Sequence, residues 1–147
     1  MSVGFMSQAP TMVATRALDR MAECFRDKDL EGLLALFSDR DSATYAGSEV
    51  GETATGPAAL RTLLGDLLNR DATYTFTFGD VRAEQVGDAI WVLAEGTGHE
   101  TSADATVETF PYRVCGLLVP ERRGHCWVLL SGGEPTQSRG VKSPGVV

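Results

Sequence analysis

The chain has 147 residues, 43% of them apolar and 22% charged, and this composition is typical of one folded domain rather than of a disordered chain. Its formal net charge of -7 disfavours nucleic acid and anionic lipid surfaces as partners, because both are negatively charged. No apolar run approaches the roughly 18 residues that a membrane-spanning helix needs, so no membrane partner is expected.

Small and polar residues mark both ends of the chain. Residues 1–11, which contain Gly4 and Pro10, are predicted to form a flexible leader. Residues 136–147 are rich in Ser, Gly and Pro and are predicted to form a flexible tail. A single domain is therefore expected over residues 12–135, with one core and no internal repeat.

Three helices are predicted in the first half of this domain. Apolar residues recur at steps of three and four from Val13 to Phe25, which is the period of an amphipathic helix. A second, shorter stripe runs from Leu30 to Phe37. The third helix starts at Pro57, because the first turn of a helix tolerates the missing amide hydrogen of proline, and it continues as a stripe of leucines.

Extended segments dominate the rest of the domain. A short strand is predicted over residues 42–46, followed by a loop over residues 47–56. From Thr73 to Phe78 threonine alternates with aromatic residues, a period of two that indicates a strand with one buried face. Turn residues separate the remaining predicted strands, which cover residues 89–97, 106–119 and 126–131.

Three helices followed by hairpin-connected strands predict an α+β fold. We expect a cone-shaped α+β barrel, in which the three N-terminal helices pack on a curved, mainly antiparallel sheet of four to six strands. Such an arrangement leaves a cavity between helices and sheet, where a ligand would bind.

Glu95 and Arg113 are candidate catalytic residues. Side chains alternate across a strand, so Glu95 shares a face with Trp91 and Leu93, and Arg113 shares a face of the neighbouring strand with Cys115. If both faces line the cavity, Glu95 and Arg113 pair inside it as a base and an anion clamp. The alternatives are a structural ion pair, or a Glu95 that lies at the sheet rim in water.

Tyr45 is the third catalytic candidate, since a phenol near the mouth of the cone can donate a hydrogen bond to a developing oxyanion. Trp91 and Trp127 either fill the core or stack on a flat ligand. Cys115 and Ser131 are further candidates for ligand contacts, although no nucleophile elbow surrounds Ser131 and Cys115 suits a small apolar role.

No metal site and no cofactor are predicted. His99 and His125 are far apart and lack the spacing of metal ligands, and the glycines occur singly and not in a phosphate-binding loop. The three cysteines form neither a CxxC pair nor a disulfide framework, which favours a reducing cytoplasm.

Several segments resemble SnoaL-like domains of the nuclear transport factor 2-like superfamily. They are Ala17-Leu18-Asp19-Arg20-Met21, Gly56-Pro57-Ala58-Ala59-Leu60, Gly87-Asp88-Ala89-Ile90-Trp91, Phe110-Pro111-Tyr112-Arg113-Val114, the turn from Gly124 to Trp127, and Gly133-Glu134-Pro135. The likeness covers residues 12–135 and implies the cone-shaped fold, a small organic ligand and a homodimer formed through the sheet. Relatives often carry a histidine near the end of the last strand, whereas residues 131–135 of this chain contain none.

The resemblance leaves two functions open. One is a cofactor-independent isomerase, cyclase, hydrolase or dehydratase that acts on a small molecule by general acid-base chemistry in the cavity. The other is a non-catalytic module for ligand binding or dimerisation. The missing histidine favours the second function, as does the absence of the paired Asp residues that epoxide-hydrolysing relatives use.

Overall fold

The computed structural model describes residues 9–135. Most of the predicted leader and the whole predicted tail lie outside these residues. None of the helices within residues 9–135 combines the length and the apolar character that crossing a membrane requires.

Residues 9–135 contain three helices, as the apolar periodicity predicted: α1 (Pro10–Asp27), α2 (Leu30–Leu34) and α3 (Pro57–Leu68). Helix α1 begins at Pro10 and not near Met12, because proline is well tolerated as the first helical residue. It ends at Lys28, whose left-handed backbone (φ 55°) stops the helix. Asp29 then caps α2 by accepting a hydrogen bond of 2.9 Å from the Gly32 amide.

Six strands within residues 9–135 form one open, mixed sheet in the order β2-β1-β6-β5-β4-β3. Only β1 and β6 are parallel, and every other neighbouring pair is antiparallel. The strands are β1 (Thr44–Ala46), β2 (Thr53–Thr55), β3 (Thr73–Val86), β4 (Ala89–Thr101), β5 (Val107–Glu121) and β6 (Gly124–Gly133). The predicted architecture is confirmed, although β2 lies in a segment predicted as a loop.

The helices cover one face of the sheet, which we call the inner face. In β4 this face carries Ile90, Val92 and Ala94, each exposed by 2% or less, and these side chains pack in one core with Leu18 of α1. The residues between them, beginning with Trp91, form the opposite or outer face, where side chains are partly exposed.

Two bulges interrupt the regular pairing of the sheet. Phe78 pairs with Gly96 and Asp80 with Glu95, so the extra residue Gly79 forms a bulge in β3. Leu117 pairs with Leu129 and Leu118 with Trp127, so the extra residue Val128 forms a bulge in β6, and bulges increase the local bend and twist of a strand. Gly96 allows the close strand approach beside the first bulge, because a Cβ atom there would lie 1.9 Å from the Thr77 carbonyl oxygen. Thr73 pairs with Thr101 and Thr101 with Val107, so the start of β3, the end of β4 and the start of β5 meet at the same end of the sheet.

Candidate functional site

A basin of about 470 Å³ opens between the helices and this end of the inner face. Its size matches the sites that hold small molecules in other proteins. Aromatic side chains form its wall, three tyrosines and an ion pair contribute polar groups, and carboxylates form its rim. The residues that line it include Phe25, Tyr45, Glu49, Glu52, Arg70, Phe76, Glu100, Glu108, Phe110, Tyr112 and Glu134.

The aromatic wall consists of four rings, each in contact with at least one other. The Phe76 ring lies 4.5 Å from that of Tyr112 and 5.6 Å from that of Phe25, and the Phe110 ring lies 6.1 Å from that of Tyr112. Gly98 lies beneath Phe110, because a Cβ atom there would be 2.4 Å from the ring. A flat apolar ligand would find a preformed surface on this wall.

Tyr45 and Tyr112 place one buried and one partly buried phenol in the basin. Tyr45 is 6% exposed, and burial raises its pKa far above the usual value. Burial also raises the pKa of Tyr112 to about 12, and its hydroxyl lies over Gly132, where a Cβ atom would be 2.2 Å away. Neither hydroxyl has a hydrogen-bond partner among residues 9–135. Both phenols therefore stay protonated near neutral pH and can donate a hydrogen bond to a ligand oxygen.

Glu52 and Arg70 form the ion pair of the basin. The Nη2 atom of Arg70 donates a hydrogen bond of 3.1 Å to Oε2 of Glu52, whose side chain is only 12% exposed. The hydroxyl of Tyr74 and then the Glu52 carboxylate raise the pKa of Arg70. The negative charge of Glu52 is also felt at Tyr45, because it raises the pKa of that phenol. A carboxylate is thus fixed beside a phenol, which are the groups of an acid-base site.

The rim of the basin is acidic. Glu49, Glu100, Glu108 and Glu134 all line it. Glu100 and Glu108 are directly opposite each other on β4 and β5, a like-charged pair that costs stability and that packing does not require. Such a rim repels anions, so the basin is suited to neutral or cationic molecules.

Tyr45 is the only predicted site residue that lines the basin. The structure does bring Glu95 and Arg113 together, since they are register partners and their side chains lie 3.6 Å apart. However, the pair lies on the outer face, with both side chains about half exposed. Their neighbours Ala94 and Val114 lie on the inner face instead. Both belong to the buried core that packs under the helices.

The predicted ligand-contact residues also lie away from the basin. Trp91, Cys115 and Ser131 are on the outer face, where Cys115 and Ser131 are register partners. Cys115 and Ser131 line a shallow depression of about 290 Å³ together with Arg113. Trp127 is on the inner face and 1% exposed, but it lines a different cleft.

Glu52, Arg70 and Tyr112 are site residues that the sequence interpretation missed. The alternation of side chains along β5 could have placed Tyr112 on the inner face, because it shares a face with the buried apolar residues Val114 and Leu118. No comparable signal exists for Glu52, which precedes a strand of three residues, or for Arg70, which follows the end of α3.

Within residues 9–135, no three His, Cys, Asp or Glu side chains are grouped so as to hold a metal ion. Cys24, Cys115 and Cys126 are free thiols. Burial raises the pKa of the Cys24 and Cys126 thiols, so both stay protonated at neutral pH and are poor nucleophiles.

Residues 15–132 match the family described as the SnoaL-like domain. No curated protein matches the sequence. Among solved structures, an NTF2-like superfamily protein from Salmonella enterica superposes with a TM-score of 0.76 at 12% identity, covering 92% of this chain and 100% of its own. A ketosteroid isomerase-like protein from Erwinia carotovora gives 0.70 at 16% identity, covering 89% of this chain and 100% of its own.

A third similar structure is ActVI-ORFA from Streptomyces coelicolor. It gives a TM-score of 0.69 at 16% identity and covers 90% of this chain and 98% of its own. At these identities the likeness concerns the fold, and the chemistry has to be argued from the residues of the basin.

Proposed function

Because this chain belongs to the SnoaL-like domain family, we propose that its basin binds a small organic molecule and moves a proton on it without a cofactor. The observation that carries the proposal is the pairing of a fixed carboxylate, Glu52, with a buried phenol, Tyr45, inside an aromatic-walled space of about 470 Å³. We expect an isomerase, cyclase, hydrolase or dehydratase reaction that uses these groups as general acid and base.

The favoured ligand is a flat, uncharged molecule with a carbonyl group. The rings of Phe76, Phe110 and Tyr112 suit a flat apolar body, and the acidic rim repels anions. In the proposed reaction Glu52 takes a proton from the carbon next to the carbonyl. Tyr45 and Tyr112 donate hydrogen bonds to the resulting enolate oxygen, and Glu52 returns the proton to the same or a neighbouring carbon.

A non-catalytic role is the alternative, and the Glu52–Arg70 ion pair favours it. The Nη2 atom of Arg70 already donates a hydrogen bond of 3.1 Å to Oε2 of Glu52, so this carboxylate has a structural partner and a role that needs no proton transfer. In that case the basin would bind its ligand without changing it. The two functions share the binding site and differ only in whether Glu52 exchanges a proton.

Replacing Glu108 by Trp is expected to weaken ligand binding in the basin, because a large ring on the inner face of β5 would occupy its mouth. The measurement is isothermal titration with a panel of flat bicyclic and tricyclic ketones and phenols. We expect at least a roughly tenfold weaker affinity, since about 1.4 kcal/mol of lost contact already has this effect.

Val107→Trp is the matched control for this substitution. Val107 is the preceding residue of the same strand, so its side chain points to the other face, and it does not line the basin. Unchanged binding in Glu108→Trp, or equal losses in both variants, would exclude the basin as the binding site.

We further propose that two copies of the chain associate through the outer face. Trp91 and Leu129 are exposed by 39% and 38%, which is unusual for large apolar side chains on a sheet that faces water. Glu95 and Arg113 lie on the same face. In a two-fold symmetric dimer, the negative and positive charges of one copy would therefore meet the opposite charges of the other copy. In this proposal the Glu95–Arg113 pair belongs to the subunit interface.

Light scattering at micromolar concentrations is expected to give the mass of two chains, and Trp91→Glu is expected to give the mass of one. The added carboxylate would be buried without a partner in the middle of the interface. Arg122→Glu, at the exposed β5–β6 turn, serves as the charge-change control. A wild-type mass of one chain, or an unchanged mass in Trp91→Glu, would contradict this interface.

The proposed location is the cytoplasm. Cys24, Cys115 and Cys126 are all free thiols, one of them exposed, and a reducing compartment keeps thiols in this form.

A further inference from the structure

A second cleft, of about 430 Å³, lies between the first half of α1, residues 35–36 and the β5–β6 turn. It shares no lining residue with the basin. We call it the arginine cleft, because Arg16 and Arg20 of α1 and Arg123 of the turn line it, together with His125. Nothing in the proposed reaction uses this cleft.

The charge of the arginine cleft is opposite to that of the whole protein. The chain carries a net charge of -7 and has only 13 basic residues, yet three of them converge here. No Asp or Glu is among the described residues that line it. Arg16 and Arg20 are four residues apart on one helix face, and like charges at this spacing destabilise a helix. A bound anion would remove this repulsion.

Arg123 is a fixed wall of the cleft. Its Nε atom donates to the Ala35 carbonyl at 3.1 Å, its Nη1 atom bonds Asp39 at 3.1 Å, and its Nη2 atom donates to the Phe37 carbonyl. The carboxylates of Asp39 and Glu121 offset part of its charge from outside the cleft. Arg20, by contrast, makes no hydrogen bond or ion pair with any other described residue, so its fork of donors is available to a ligand.

Apolar groups complete the cleft. Ala17, Leu36 and Trp127 line it, and Trp127 is 1% exposed. The indole N–H of Trp127 is a buried donor without an acceptor among residues 9–135. Because arginines line one part of the cleft and apolar groups line another, a matching ligand has acidic oxygens at one end and an apolar part at the other.

We propose that the arginine cleft binds a small organic anion, whose carboxylate or phosphate group is held chiefly by Arg20 with Arg16 and Arg123 beside it. Guanidinium groups bind both kinds of oxyanion through paired hydrogen bonds. The apolar part of the anion lies against Ala17, Leu36 and Trp127. This site is independent of the basin and does not rest on the function proposed above.

Trp127 provides a direct readout of this site. The chain has two tryptophans, so Trp91→Phe leaves Trp127 as the only one, and its emission can be followed alone. We would titrate this variant at constant ionic strength with inorganic phosphate, with benzoate and with chloride. Phosphate or benzoate is expected to produce a saturable change, whereas chloride produces none. Saturation by one anion and not the other identifies which oxyanion the cleft holds.

Adding Arg20→Gln to this background is expected to weaken the saturable binding by about ten- to a hundredfold, because a hydrogen bond to a charged group is lost. Arg82→Gln is the control, since Arg82 is exposed on β3 and far from the cleft in the fold, and it should leave the affinity unchanged. Absence of saturation with both phosphate and benzoate would overturn the proposal. Equal affinity in the Arg20→Gln and parent proteins would overturn it as well.

Discussion

Glu52→Gln is expected to slow proton exchange on a bound ketone by about 100- to 10,000-fold, which is the usual contribution of a positioned acid-base group. Glutamine has nearly the same shape and can still accept a hydrogen bond from Arg70, but it cannot take up a proton. The measurement is the incorporation of deuterium from D2O into an enolisable bicyclic ketone such as 2-tetralone, followed by NMR.

Glu95→Gln provides the control for this experiment. Glu95 is also paired with an arginine on the central strands, but it lies on the outer face and is about half exposed. Its replacement is expected to leave the exchange rate unchanged. If the wild-type protein binds the ketone but exchanges no faster than buffer, the chain is a binding module. If Glu95→Gln causes the larger loss, Glu52 is not the base.

Trp127→Ala is expected to lower the free energy of unfolding by about 3–5 kcal/mol, as large aromatic deletions in a core do. Trp127 is 1% exposed, and its ring packs over Gly116, where a Cβ atom would lie 2.7 Å from it. Its backbone also ties β6 to the segment after α2, through hydrogen bonds of 2.8 Å with Leu36 and Ser38. A loss of this size removes a large fraction of the total stability of a domain.

Trp127→Phe is the conservative control, and denaturation by urea measures both variants. Phenylalanine fills much of the same space, and no described group accepts a hydrogen bond from the indole N–H that is removed. The loss for Trp127→Phe should therefore be less than half that for Trp127→Ala. Equal losses would mean that the indole N–H has a partner that the packing argument does not include.

The sequence predicted the helices and the sheet because their signals are local and repeated. The leucine stripe that follows Pro57 has a clear helical period, and the alternation from Thr73 to Phe78 indicates a half-buried strand. Strand β2 was missed because three residues, Thr53–Thr55, are too few to show a period. The parallel pairing of β1 with β6 joins Tyr45 to Leu130, and no local pattern encodes a contact over such a sequence distance.

The site was harder to predict than the fold, since it depends on which face of each strand the helices cover. Glu95 and Arg113 share a strand register and differ from their neighbours in charge, so alternation grouped them correctly. Alternation alone did not predict which face the helices cover, and the structure shows that Ala94 and Val114 face them. Small and branched apolar side chains permit closer packing under α1 than a charged pair, and this comparison would have assigned the faces.

Tyr45 was identified because its strand was expected near the mouth of the cone, whereas its partners come from distant segments. Glu52 lies between β1 and β2, Arg70 lies after α3, and Tyr112 is on β5. Convergence of these groups follows only from the three-dimensional order of the strands. For this reason the sequence indicated one member of the basin and not its ion pair.

A crystal structure of the protein soaked with the tightest-binding ketone of the panel tests the central claim most directly. We predict ligand density in the basin, with the flat body against Phe76 and Tyr112 and the carbonyl oxygen within hydrogen-bonding distance of the Tyr45 hydroxyl. Density confined to the outer face, or a basin closed by its own side chains, would contradict it.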